Sequence, residues 1–445
     1  MKFSTQKPKK KLHMVSLGCT KNLVDSEVML GRLSDYELTD DTQNADVIIV
    51  NTCGFIDSAK QESINTILNL HEDRKKESVL VMAGCLSERY KEELQSELPE
   101  IDVFTGVGDY DKIDLLVNEK RSKFTNEVFL ASENNERVIT GSSYHAYVKL
   151  SEGCNQACSF CAIPSFKGKL HSRTLQSLVK EVKHLVSKGF IDFSFVSQDS
   201  SSYLRDMEEK NGLELLIEEV EKIEGIKTAR ILYLYPSTTT VSLIDKIADS
   251  KIFVNYFDMP LQHISQNMLK IMKRGKGVEK LNELMNHMKS KPNSFVRTTF
   301  IAGHPGEKEE EFEELCKYVE EFNFDRANVF SYSDEEGTTA TLRADKIAQE
   351  LIDERAEILG EIIAQTTQIS LENEIGKTFE VYIDGESDEH EYLLSARKTI
   401  WAPNIDGEIY INDNESEQEL KFGQVYTVKV TELAGDKLLA TVIKL

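Results

Sequence analysis

The chemistry of this chain starts from three cysteines in the segment GCNQACSFC: Cys154, Cys158 and Cys161. The spacing Cys-x3-Cys-x2-Cys puts three thiols on one tight loop, directly after the apolar run Ala146 to Leu150. Three thiolates on such a loop can hold three irons of a cubane [4Fe–4S] cluster and leave the fourth iron open to bind and activate a second molecule. A structural zinc site is the competing use. Zinc generally takes four protein ligands in paired short spacings, and the nearest fourth candidate here is His171.

Three further cysteines repeat the theme. Cys19 stands in VSLGCTKN, Cys53 in VIIVNTCGF and Cys85 in VLVMAGCLS. Each follows a short apolar stretch of strand character. Each precedes a helical pattern: Val24 to Leu33, Ser58 to Leu70 and Ser87 to Leu98. Strand–helix alternation predicts a parallel sheet with crossover helices. Ligands gather at the carboxyl ends of such strands, so all three cysteines fall on one edge of the sheet. That placement predicts a second three-thiolate cluster site with an open iron. The alternative is inert burial, since free cysteine packs as a small apolar residue. Cys316 reads that way: Phe312, Leu315, Cys316 and Val319 follow the spacing of a buried helical face.

These sites need elements to position them, and a chain of 445 residues with 40% apolar content can supply two or three domains. From Lys11 to Leu130 the pattern is α/β, and the polar stretch Ala131 to Gly141 reads as a linker. From residue 140 to 374, strands at Ala146–Leu150, Asp192–Val196, Arg230–Tyr235, Tyr256–Met259, Arg297–Ile301 and Asn328–Phe330 alternate with helices. A charged linking helix from Arg343 closes this region. Six βα units predict an open, partial barrel whose working face lies at the strand ends. Polar clusters follow those strands, among them Ser197-Gln198-Asp199, Gln262-His263 and Gly303-His304-Pro305. From residue 376 to 445, runs at Thr378–Ile383, Glu408–Ile411, Gln424–Val430 and Leu438–Ile443 predict a small all-β barrel. The fold class is therefore multidomain α/β: an N-terminal parallel α/β domain (11–130), a central open (βα)6 partial barrel with a linking helix (140–374), and a small C-terminal β-barrel (376–445).

Acids outnumber bases 76 to 53, a net charge of −23. That balance favours a basic partner over a polyanion. No stretch approaches the roughly 20 apolar residues of a membrane span. Lys2, Lys7 and Lys9 to Lys11 precede no apolar segment of signal-peptide length. The expectation is a cytoplasmic protein without a membrane partner, in which clustered cysteines point to metal before disulfide.

With six cysteines in these contexts, the chain resembles the radical S-adenosylmethionine (SAM) methylthiotransferases from Lys11 to Leu445. The resemblance implies an auxiliary [4Fe–4S] cluster on Cys19, Cys53 and Cys85 and a SAM-cleaving cluster on Cys154, Cys158 and Cys161. It makes Phe160 the aromatic of the radical-SAM signature and the C-terminal barrel a TRAM domain. One branch, the RimO type, modifies an aspartate of ribosomal small-subunit protein 12. The chain is similar to that branch in LGCTKNLVDSEVMLGRL, CAIPSFKGKLHSR, DMPLQHISQNMLKIMKRG and FSYSDEEGTTA. It departs from it at Thr20, where Pro is commoner, and at Lys167, where Arg is commoner. Branches that modify tRNA adenosine are the alternative. Between Gly376 and Leu445 there are seven bases and fourteen acids. An acidic barrel suits a basic ribosomal protein, whereas RNA needs a basic groove. A non-catalytic iron–sulfur or zinc-binding ribosome factor is the third possibility.

The implied reaction inserts a methylthio group at the aspartate β-carbon. An unactivated C–H is beyond any side-chain base, so the cofactors carry that step. The family mechanism uses SAM twice, as radical source and as methyl donor, with sulfur held at the auxiliary cluster. It also implies a low-potential electron donor such as flavodoxin or ferredoxin. Ser197, Gln198 and Arg297 are chosen as SAM contacts because they flank strand ends at the barrel mouth.

Overall fold

The computed structural model describes residues 9–275, 277–416 and 418–444. Lys2, Lys7, Glu417 and Leu445, which entered the sequence reading, lie outside the described residues. The N-terminal sheet is parallel throughout. Its strands are β1 (Lys11–Ser16), β2 (Glu37–Leu38), β3 (Val47–Thr52), β4 (Val79–Gly84) and β5 (Val103–Phe104), ordered β2-β1-β3-β4-β5. VIIVNT and VLVMAG are buried at every position, as expected of parallel strands covered on both faces. Helix α1 (Thr20–Arg32) follows β1.

The central sheet begins with β6 (His145–Lys149). A two-stranded antiparallel ribbon follows, β7 (Ser151–Glu152) with β8 (His171–Ser172). Its remaining strands are β9 (Asp192–Val196), β10 (Thr228–Ile231), β11 (Phe253–Asp258), β12 (Phe295–Ala302) and β13 (Arg326–Ser331). The order β13-β12-β11-β10-β9-β6 is parallel and open, the six-unit partial barrel that the sequence predicts. One strand is shorter than expected. β10 ends at Ile231, and Tyr233 adopts a left-handed backbone with φ +63°. A bulky residue at positive φ cannot continue a strand. There the carboxylate of Asp258 accepts the Tyr233 N–H at 3.0 Å in place of a ladder partner. The charged linking helix covers Gln349–Glu372.

The C-terminal barrel has five strands and is closed: β14 (Thr378–Glu386), β15 (Leu394–Lys398), β16 (Ile409–Asn414), β17 (Val425–Ala434) and β18 (Lys437–Val442), ordered β14-β15-β16-β18-β17. The sequence reading missed β15. Its text, LSARK, is short and ends in two cations: Ala396 faces the barrel core, while Arg397 on the opposite face is buried against Asp192 of the central domain.

This barrel is fused to the floor of the central one. Tyr147, Val196, Leu232, Tyr256 and Phe295 share one apolar cluster with Trp401, Ile409 and Leu438. At its edge Asp192 pairs with Arg230 at 2.8 Å and with Arg397 at 2.5 Å, all fully buried. Opposite charges hold the Asp192 carboxyl well below its ordinary pKa, against a burial that would raise it. The C-terminal barrel is thus part of the core architecture and not a tethered accessory.

Candidate active site

The N-terminal cysteines stand at the carboxyl ends of three adjacent strands. Cys19 is the N-cap of α1, Cys53 follows β3, and Cys85 opens the turn after β4. Asn22 ties the three loops together: its Nδ2 donates to the Leu17 and Thr52 carbonyls, both at 3.1 Å, and its Oδ1 lies 3.6 Å from Cys85 Sγ. Gly18 has φ +81°, and a Cβ there would sit 2.8 Å from Cys53 Sγ. Only glycine lets this loop bring Cys19 so close to Cys53. The glycine beside each cysteine, in LGC, CGF and AGC, was visible in the sequence.

The other trio lies on a loop pinched at its base by the β7–β8 ribbon, through the pairs Ser151–Ser172 and Glu152–His171. His171, the fourth ligand that zinc would require, lies exposed on that ribbon. Gly153 (φ +74°) turns the chain into the loop, and Cys154 N–H donates to the Gly168 carbonyl at 3.1 Å. Between the second and third cysteines, Ser159 is gripped on three sides. Its N–H reaches the Met272 carbonyl, its carbonyl receives Ala340 N–H, and its hydroxyl meets His304 Nε2 at 2.9 Å. The other ring nitrogen, Nδ1, lies 2.9 Å from the Pro305 carbonyl and so must carry the proton, which leaves Nε2 to accept from Ser159. His304 is therefore a positioning residue for the loop. Phe160 packs beside it, edge-on at 6.3 Å, against the Tyr332–Ile352 cluster.

Two donors reach sulfur directly. Arg274 Nη1 lies 3.4 Å from Cys158 Sγ and the Tyr235 hydroxyl 3.5 Å from it. The Arg274 guanidinium also stacks on the Tyr235 ring at 4.1 Å. Neither residue was singled out from sequence. Arg274 is 116 positions from Cys158, and the only hint was its place in KIMKRG after β11.

In each trio the thiols lie close enough to raise one another's pKa. Among the described residues, no three His, Cys, Asp or Glu side chains converge on a point the size of a single ion. A zinc ion needs all its ligands within about 2.0–2.3 Å of one centre. Cluster thiolates each bind a different iron and stand further apart. Without metal, burial pushes Cys53 up to about 11 and Cys85 to about 12, with Cys19 adding to both. Burial likewise pushes Cys154 to about 11 and Cys161 to about 12, with Cys158 adding to both. Three thiolates crowded in an apolar wall need a large positive charge to coexist, which is what iron supplies.

The two sites are joined by one segment. The loop continues past Cys161 through the N-cap Ala162 into a short helix, Ile163–Lys167, and Ala162 and Phe166 are buried in the same apolar cluster as Cys85. Beneath it lies a buried four-charge network. Lys149 Nζ pairs with Asp25 and Glu152, each at 2.5 Å, and Lys167 Nζ reaches the same two carboxylates at 3.5 and 3.3 Å. Asp25 belongs to α1 and the other three to the central domain, so the network locks one cysteine site against the other.

The residues chosen as SAM contacts separate. Ser197 is fully buried, with its hydroxyl directed to Ser200 Oγ at 3.2 Å. Gln198 Nε2 donates to Glu152 Oε2 at 3.1 Å, and its Oε1 is buried without a partner. Arg297 lies near the start of β12 between Asp258 (3.1 Å) and Asp406 of the C-terminal barrel (3.3 Å). Cys316 lies partly buried against the main core, as read from sequence.

Three family models match in chain order: uncharacterized protein family UPF0004 over residues 11–106, the radical SAM superfamily over 148–319 and the TRAM domain over 375–443. A ribosomal protein uS12 methylthiotransferase RimO from Aliarcobacter butzleri is 88% identical over the full length of both chains. One from Sulfurovum sp. is 67% identical over 98% of this chain and 99% of its own. Among solved structures, the radical SAM methyltransferase TsrM from Kitasatospora setae is similar in fold, with a TM-score of 0.52 at 14% identity, over 73% of this chain and 74% of that one. At such identity to full-length relatives, the chain belongs to the radical-SAM methylthiotransferase family, in its uS12-methylthiotransferase (RimO) branch.

Proposed function

We infer that this chain adds a methylthio group to the β-carbon of an aspartate in ribosomal protein uS12. It is a SAM-dependent sulfur-group transferase that uses two [4Fe–4S] clusters. The observation that carries the site assignment is the pairing of two cysteine trios through one segment, with Cys161 at one end and the Cys85 cluster at the other. Cys154, Cys158 and Cys161 hold the cluster that engages SAM; Cys19, Cys53 and Cys85 hold the one that carries sulfur. When bound, these groups supply the radical, sulfur and methyl chemistry that no side chain can. The chain's own residues do the rest. Ser159 and His304 fix the loop, Asp25, Lys149, Glu152 and Lys167 hold the two sites at constant separation, and the fused C-terminal barrel closes the floor. Among the SAM-side candidates the geometry favours Gln198, whose buried Oε1 is free to accept a hydrogen bond.

No helix among the described residues is long and apolar enough to cross a membrane. The reading places the protein in the cytoplasm, where a flavodoxin or ferredoxin would deliver the electron. The test is mass spectrometry after anaerobic turnover with purified uS12 and tRNA. A methylthio group on an aspartate-bearing uS12 peptide, with tRNA unchanged, supports the reading. Methylthio-adenosine with unmodified uS12 overturns it.

A further inference from the structure

On the Cys19 side of the central barrel lies a cation that has no carboxylate partner among the described residues. Lys21 lies two residues after Cys19, in the first turn of α1, and its ammonium sits 3.4 Å from the centroid of the Tyr233 ring. Among the described residues no carboxylate lies within 4.0 Å of it. The acidic groups that bear on it are the Tyr233 phenol, Cys19 and one carboxylate, Asp258, which is already engaged by Tyr233 N–H at 3.0 Å and by Arg297 at 3.1 Å. Arg297, the other interior cation at this level, is bracketed by Asp258 and Asp406. The hydroxyl of Thr20, next to Lys21 in the chain, is buried without a hydrogen-bond partner. The contrast with Lys149 and Lys167 is sharp, since each of those has two buried carboxylates.

A half-buried cation packed against an aromatic face, with no carboxylate partner, is set to receive a carboxylate from outside. We propose that Lys21 binds the side-chain carboxylate of the substrate aspartate and is the residue that selects an acidic side chain at the reaction centre. This rests on the uS12 reading above. The position suits the chemistry. A carboxylate on Lys21 is anchored two residues from a ligand of the sulfur-carrying site, and the reacting β-carbon is one bond from that carboxylate. The Tyr233 ring would then form the floor against which the ammonium is held, its backbone fixed in the left-handed region by Asp258.

The measurement is equilibrium binding of two synthetic peptides copying the uS12 loop, with Asp or Asn at the target position, to the reconstituted full-length protein. The wild type should prefer the Asp peptide by about tenfold to a hundredfold, the range of a charge-assisted hydrogen bond. Lys21→Met, which keeps length and removes charge, should bind both peptides at the Asn level. Lys21→Arg should recover part of the preference. A merely structural clip between α1 and Tyr233 would weaken both peptides alike and leave their ratio intact, and that outcome overturns the proposal. Lys21→Gln, checked for full iron content, serves the same purpose should the Met variant misfold. A wild type that binds both peptides equally overturns the role of Lys21 alone. A wild type that binds neither peptide but binds an RNA stem-loop overturns the uS12 reading and this proposal with it.

Discussion

The two cysteine sites share a ligand count and differ in what touches the sulfur. On the barrel loop, a guanidinium and a phenol both reach Cys158 Sγ, and Gln156 N–H lies 3.4 Å from Cys154 Sγ. At the sheet edge the side chain in hydrogen-bond reach of sulfur is the neutral Asn22, its Oδ1 3.6 Å from Cys85 Sγ, while Lys21 and Lys167 act on Cys53 and Cys85 through charge without donating to sulfur. Hydrogen bonds and positive charge at cluster sulfurs favour the reduced, more negative state. Direct donors to sulfur on the loop favour electron uptake by a cluster held there, whereas at the sheet edge three strand ends, one amide and a glycine set how closely the sulfurs approach. One fold supports two uses of the same ligand set because the surroundings, not the thiols, set the chemistry.

The largest effect that would break this comparison is loss of either trio. Alanine at Cys154, Cys158 and Cys161 should halve the iron from about eight to about four per chain, assuming two four-iron clusters, and abolish SAM cleavage. Alanine at Cys19, Cys53 and Cys85 should also halve the iron but stop only methylthio transfer. Retention of both clusters in the second variant would show that the sheet-edge assignment is wrong. Gly18→Ala is a gentler form of the same test. Its Cβ would meet Cys53 Cβ at 2.6 Å, at a φ that costs any L-residue about 1 kcal/mol or more. Iron and sulfide at the sheet-edge site should fall while the spectroscopic signature of the loop cluster stays.

Much of this was legible in the sequence, for a physical reason: cysteine spacing, strand–turn–helix alternation and glycines beside ligands are local. The parallel strands VIIVNT and VLVMAG are continuous apolar runs and could not hide. What was not legible is long-range. Asp25 and Lys149 are 124 positions apart, and nothing local marks either as half of a buried pair. Arg397 reads as a surface residue in LSARK, yet it is buried against Asp192, 205 positions away. That contact conceals a strand and fuses the C-terminal barrel to the central one. The fusion also changes what truncation does. Removing residues from 376 onward would strand Asp192 with Arg230 alone and expose Tyr256 and Phe295, so it would not spare the central domain. The acids at Glu380, Asp388, Glu389, Glu391, Glu415 and Glu419 remain exposed for a basic partner, whereas Asp406 is spent internally.

The comparison is sharpened by removing charge from the loop site alone. Arg274→Gln deletes a cation 3.4 Å from a ligand sulfur and leaves the ligands in place. The loop cluster should become harder to reduce, by about 59 mV for each tenfold change in the one-electron equilibrium. The sheet-edge cluster should keep its potential. Arg274→Lys should restore part of the shift, and Tyr235→Phe should move it less than Arg274→Gln, since a phenol carries no charge. Equal shifts at both clusters in a redox titration followed by electron paramagnetic resonance would remove the distinction drawn here.

The smallest expected effect lies away from both sites and tests whether acid sensitivity belongs to the clusters or to the barrel floor. His145 is buried there, its Nε2 2.9 Å from Ser194 Oγ. Burial, which outweighs the attraction of Asp192, drives its pKa from 6.5 down to about 3, with Arg397 and Arg230 adding to the fall. A depressed folded-state pKa means that the unfolded chain gains the proton first. The ring's contribution is therefore complete above pH 6.5, erodes as the pH falls from there, and is gone near pH 3. Over that window the loss is of the order of a few kcal/mol. Asp192 follows the same sign at lower pH, because its carboxyl is also depressed and must be protonated at cost below its ordinary range. His145→Gln keeps a hydrogen-bonding group for Ser194 and removes the titration. In apo-protein, where cluster decay cannot contribute, its thermal midpoint should fall less steeply than the wild type's between pH 6.5 and 5. Parallel slopes would assign the acid sensitivity to groups other than this ring.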